Sequence, residues 1–220
     1  MGIISVEQAD RLFWLGRYTE RVYTTVRLYF HSFDSMIDEI MDSYQQFCEL
    51  IDIPNIYSDK DDFMKRYPFD EENPDSIIRN LNRAYDNAIV LRESIGSEAL
   101  SYIQLAIYEM NRAKISDAPL IEMQSVVDNI LAFWGTVDDQ IDDLRIRNLI
   151  KAGKRIERVD LYARLEVEPM ELVREVNRLI PRVERSGLEY DKEKLSLIKN
   201  EVNKPEIDYY NLVNLVEAIV

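Results

Sequence analysis

Gly16-Arg17-Tyr18-Thr19-Glu20-Arg21-Val22 recurs as Gly153-Lys154-Arg155-Ile156-Glu157-Arg158-Val159, and each string is followed at the same spacing by an Arg-Leu pair, Arg27-Leu28 and Arg164-Leu165. Both strings lie in stretches with apolar residues every three or four positions, so both read as helices. A Gly, a Glu and cationic residues in matched places predict an all-α fold. It is a single helical bundle with a long N-terminal helix, in which the two related helices face each other across an internal pseudo-twofold axis around a shared charged centre. A Gly inside a helix costs ~1 kcal/mol against Ala, so two glycines in matching places point to a backbone that must come close to something. The natural neighbour is the other helix.

Composition sets the frame for these helices. With 220 residues, 46% of them hydrophobic, the chain fits one domain over residues 1–220, with 166–220 as a shorter helical cap. A net charge of −14 argues against nonspecific binding to nucleic acid or to an anionic membrane, although a local basic site stays open. Cys48 is the only cysteine and cannot form an intrachain disulfide; no signal segment is apparent and no apolar run approaches the ~20 residues of a membrane span. The expected location is the cytoplasm.

Capping and breaking residues divide the chain. Ser5-Val6-Glu7-Gln8 has the form of a capping box, and no proline follows until Pro54, which predicts one helix from about Val6 to about Ile51 with Leu12, Leu15, Tyr18 or Thr19, Val22, Val26 and Tyr29 as its apolar stripe. Residues 52–74 form a connector with a short helix near Phe63. Asn73-Pro74-Asp75 reads as N-cap and first turn of a helix reaching Ile95, where Gly96-Ser97 breaks the path. Another helix starts near Pro119 and ends at Gly135, and Thr136 is expected to cap the helix that carries the second string. Beyond Pro169 the expectation is short amphipathic pieces punctuated by Pro181, Gly187 and Pro205.

On a helix Glu20 can pair with Arg17 or Arg27, and the second string presents Lys154, Glu157, Arg158 and Arg164 in the same way. The preferred reading is a partly buried Glu and Arg network that holds the two helices in register. The alternative is an anion pocket, in which Arg21 and Arg158 bind a carboxylate or phosphate of a small ligand while Glu20 and Glu157 orient them or act as acid and base.

Arg11-Leu12-Phe13-Trp14-Leu15-Gly16-Arg17-Tyr18-Thr19-Glu20-Arg21, then Asn73-Pro74-Asp75-Ser76-Ile77 with Arg83, Asn87 and Arg92-Glu93, then Phe133-Trp134-Gly135 ahead of the second string, resembles the bacterial alpha-E domain family over about residues 5–165. The resemblance implies an all-helical domain named for its glutamate, with no established activity. Its members are usually encoded beside, or fused to, a circularly permuted ATP-grasp ligase and a transglutaminase-like peptidase. The implied role is accessory, in a system that makes or trims amide-linked peptides, with such a ligase or peptidase as partner and no cofactor; the rival is an enzyme acting on an amide or carboxylate substrate through the paired Glu and Arg residues. On the same footing Trp14, Asn73, Ser76, Arg83 and Asn87 join Arg17, Arg21, Arg27, Lys154, Arg158 and Arg164 as candidates around the centre. Lys154-Arg155 departs from the family's usual Arg-Tyr, and the part after Leu165 is shorter than usual.

Asp138-Asp139-Gln140-Ile141-Asp142-Asp143 offers a Mg²⁺-dependent isoprenoid-synthase reading, because carboxylates four apart on a helix can hold metal ions that clamp a diphosphate. With Thr136 as cap, Asp138 and Asp139 instead fall in a first helical turn, where negative charge is favourable, and Asp34 with Asp38 makes a poor second cluster. That reading stays third. His31 is the only histidine, which excludes a multi-histidine metal site; it reads as a packed or half-exposed imidazole and Cys48 as a small core residue, and no Gly-rich phosphate loop is present.

Overall fold

The computed structural model describes residues 4–37 and 43–220, and within them every regular element is a helix. The first, α1 (Val6–Ile37), begins where the capping box places it: Ser5 Oγ accepts from the Gln8 amide at 3.1 Å. Its stripe is buried as expected, with Thr19 rather than Tyr18 turned inward. A second helix, α2 (Ser43–Leu50), follows; whether one helix runs on to Ile51, and how Asp34 stands to Asp38, lies outside the described residues. No helix is long and apolar enough to cross a membrane among the described residues.

Contacts gather the chain into two compact units, one of residues up to Glu20 with Ile141–Val220, the other of Arg21–Gln140. In the latter, α3 (Lys60–Arg66), α4 (Ile77–Val90), α5 (Arg92–Ile95), α6 (Ser97–Lys114) and α7 (Pro119–Gln140) join α2 and the end of α1. Helix α6 packs along α7 and α4, while Phe63 stacks on Tyr67 at 5.1 Å with Phe47, Tyr57 and Tyr29 around them. Cys48 is a buried core residue there, its thiol pushed up to about 11 by burial and then by Glu49.

Two helix starts differ from the sequence expectation. Asn73 does not cap α4: its Oδ1 accepts from the Asp75 amide at 2.9 Å in an Asx turn, and Ser76 is the cap, accepting from the Arg79 amide at 3.1 Å. Thr136 does not cap either. Helix α7 runs through Gly135, and Thr136 donates to the Ala132 carbonyl at 3.0 Å, because the buried stripe of Ile130, Phe133, Trp134 and Val137 continues past the glycine.

The other unit is built on α8 (Leu144–Arg164), whose N-cap is Asp143, accepting from the Arg145 and Ile146 amides at 2.8 and 3.2 Å. Helices α9 (Pro169–Ser186) and α11 (Tyr209–Glu217) pack on α8, and α10 (Lys192–Glu201) packs on α9 and α11. Phe13, Ile156, Val159, Leu172, Val176, Leu179, Val183 and Val216 share one core, in which residues 166–220 supply most of the buried side chains. Pro181 does not punctuate α9. A proline inside a helix costs ~3 kcal/mol, and apolar burial on both sides of it, at Leu179 and Val183, offsets that; Gly187 ends the helix in the left-handed region at φ 76°.

Candidate functional site: a crossed glutamate and arginine centre

The first turns of α1 and the middle of α8 touch backbone to backbone. A Cβ built on Gly16 would lie 2.0 Å from the Ile150 carbonyl oxygen, and one built on Gly153 would lie 2.0 Å from that of Phe13. The two contacts are reciprocal, and only glycine permits either.

This approach brings the acidic and basic side chains of the two strings across to one another. Arg17 Nε donates to Glu157 Oε2 at 2.7 Å, and Arg158 Nε donates to Glu20 Oε1 at 2.5 Å. Glu20 therefore pairs across the crossing and not with Arg17 or Arg27 on its own helix. Both glutamates are 0% exposed and their arginines about 15%, at 16% and 15%. Burial pushes the Glu20 carboxyl up, opposed by the charges of Arg158, Lys154 and Arg155. Burial works against the Arg158 cation, yet Glu20 beside it holds Arg158 above its ordinary value. A guanidinium keeps its proton far above the carboxylate range, so Arg158 faces Glu20 as a cationic donor.

One turn further along α8, Asp160 is buried and pushed up to about 6, by burial first and Glu157 next, against the pull of Arg164 and Arg17. Arg164 donates to Asp160 at 3.1 Å and to Glu217 of α11, so it ties α8 to α11 and is not part of the crossed pairs. Trp14 sits beside the centre: the Arg17 guanidinium lies 5.0 Å over its ring, and both line a hollow of about 570 Å³ with Phe13, Arg145, Ile156 and Val216.

The remaining candidates belong to the Arg21–Gln140 unit. Arg21 lies near the buried Tyr67, and Arg27 is exposed and donates to Tyr23 Oη at 2.9 Å. Asn73 Nδ2 donates to Tyr57 Oη at 2.9 Å and Arg83 donates to the Pro74 carbonyl at 3.0 Å, so Asn73, Ser76 and Arg83 shape the turn into α4; Asn87 is half-buried two turns on. On α4 itself Asn80 is buried and donates to the Ser76 carbonyl at 2.8 Å. His31 is exposed, in a hollow with Tyr23, Arg27 and Phe30.

The Mg²⁺ reading loses its geometry. Asp138 and Asp139 lie in the last turn of α7, Asp142 lies outside any helix and Asp143 is the α8 cap, so the aspartates do not stack four apart on one helix. Among the described residues no group of three or more His, Cys, Asp or Glu is placed to hold a metal ion.

Sequence reasoning missed Glu175, which is 1% exposed on α9 and bonded to Arg155 and Arg178. The signal was present: Glu175 occupies a place in the stripe of Leu172, Val176 and Leu179, where a carboxylate has to be paired.

The sequence model of the Alpha-E family, described as a predicted alpha-helical domain with a conserved ER motif, matches residues 7–184. The chain belongs to the Alpha-E family. Both Glu-Arg dipeptides, Glu20-Arg21 and Glu157-Arg158, fall within the matched Alpha-E span, which takes in α9 and so extends past the resemblance read as far as Leu165. No curated protein and no solved structure matches this Alpha-E chain.

Proposed function

We propose that this Alpha-E protein is a noncatalytic accessory component of a cytoplasmic system that makes or trims amide-linked peptides, working beside an ATP-grasp ligase or a transglutaminase-like peptidase. In this reading the two units act as one domain, and the matched Gly and Glu-Arg strings are an internal pseudo-twofold pair whose purpose is to fix a rigid helical crossing. The observation that carries the noncatalytic part is the state of the two glutamates: each is 0% exposed and bonded to an arginine of the opposite helix. A general acid or base must reach the reacting group within hydrogen-bond distance, and a carboxylate committed to a buried ion pair does not. The accessory part is what the family resemblance implies.

The test is a mild pull-down of the tagged protein from its native cell, read by mass spectrometry, with Glu20→Gln as a parallel bait. Recovery of an ATP-grasp ligase or a transglutaminase-like protein with the wild type is expected. If wild-type bait retains neither while remaining folded, the accessory reading fails.

A further inference from the structure

The buried carboxylate of Glu175 sits among more positive charge than it can neutralise. Arg155 and Arg178 donate to it, the latter at 2.7 Å, while Arg158 and Arg174 lie 3.9 and 3.8 Å away. On the same side Lys154 and Arg155 act on Glu20, and Glu171 approaches Arg174 at 3.7 Å. The cations Arg155, Arg158, Arg174, Arg178 and Lys154 thus outnumber the carboxylates Glu20, Glu171 and Glu175, on a chain whose net charge is −14.

Donor capacity exceeds acceptor capacity even more. Each guanidinium carries five N–H groups in a planar fork, and a carboxylate has two oxygens. Arg174 makes no hydrogen bond to the described residues, since its approaches to Glu171 and Glu175 are too long, and Arg155 and Arg178 each commit a single nitrogen. The cluster is graded in depth: the Arg155 and Arg158 side chains are 15% exposed and form its floor, and Arg174 and Arg178 are 54% and 51% exposed and form its rim. Burial lowers Arg155, opposed first by Glu175, with the neighbouring Arg158 cation adding to the lowering.

We propose that this α8–α9 arginine cluster is a binding site for a phosphate-type oxyanion, either inorganic diphosphate or the phosphates of a nucleotide. A tetrahedral phosphate directs oxygens three ways and can engage the spare forks of Arg155, Arg174 and Arg178 together, whereas a planar carboxylate of the kind Glu175 already supplies serves two donors in one plane. The net acidity of the rest of the chain confines attraction to this patch.

The experiment is calorimetric titration of the full chain with inorganic diphosphate and, separately, with metal-free ATP, at low salt. Binding of diphosphate is expected, and it should weaken about tenfold or more in Arg174→Gln and further in Arg174→Gln/Arg178→Gln. Arg174 makes no hydrogen bond to the described residues, so the single variant keeps the fold, checked by its melting curve. Equal affinity for the two anions identifies the phosphates alone as the ligand, and tighter ATP binding identifies a nucleotide. Absence of binding to both, unchanged affinity in Arg174→Gln, or displacement of diphosphate by equimolar hexaglutamate overturns the site. Failure here leaves the accessory reading standing, because that rests on the pull-down.

Discussion

At the scale of single residues, the glycines of the two strings carry the strongest commitment. A methyl group on Gly16 or Gly153 meets a carbonyl oxygen of the opposite helix at 2.0 Å, and a backbone cannot step aside as the end of a side chain would. Gly16→Ala and Gly153→Ala should each destabilise the fold by ~3 kcal/mol or more, measured as a shift in the urea midpoint. Gly135 is the internal control: it is exposed within α7, a Cβ there meets nothing within 4 Å, and Gly135→Ala should stabilise by ~1 kcal/mol. A Gly16→Ala protein that unfolds no earlier than wild type would remove the close crossing, and with it the reason for the crossed pairs. The need for a close approach was legible in the sequence, because a costly glycine recurred in matched places. The direction of the ion pairs was not, since helical spacing reports only neighbours on the same helix and Glu20 finds Arg158 on another.

At the scale of elements, the start of α8 separates what breakers predict from what packing decides. Gly135-Thr136 has the form of one helix ending and another being capped, yet Gly135 keeps a right-handed backbone and the apolar stripe of α7 carries on to Val137. Pro181 is overruled in the same way by Leu179 and Val183. In both places the apolar stripe running past the breaker was the better guide, because burial on both sides of one residue outweighs its local preference. The polar cap at Ser5 and the break at Gly96, which takes a positive φ of 84°, were both legible, but the helix expected to reach Ile95 stops at Val90 and a short α5 follows Leu91. The consequence for α8 is specific. Asp143→Ala should cost ~1 kcal/mol, since it removes the acceptor of two amides. Asp138→Asn and Asp139→Asn should leave stability unchanged or raise it slightly, because their carboxylates stand at the unfavourable end of the α7 dipole. Thermal melts of the three variants decide the matter: a loss in the Asp138 and Asp139 variants with none in Asp143→Ala would restore Thr136 as the cap.

At the scale of the whole molecule, charge governs the response to acid. A chain of net −14 repels itself at neutral pH, so a modest fall in pH relieves strain before it breaks native ion pairs. Asp160 adds to this with a definite sign. It is 3% exposed and its carboxyl is pushed up to about 6, chiefly by burial and then by Glu157, whereas an aspartate in the unfolded chain titrates near ~3.9. Between those values the folded state holds a proton that the unfolded state has released. The stability Asp160 contributes is therefore complete below about pH 4 and is lost as pH rises through about 6. Because other carboxylates titrate over the same range, the informative quantity is the difference between wild type and Asp160→Asn, which cannot ionise. The substitution should be more costly near pH 4 than near pH 7 in urea unfolding. A difference that instead grows with pH would mean that the ionised carboxylate is the native partner of Arg164, and that the tie from α8 through Arg164 to Glu217 is strongest in the charged state.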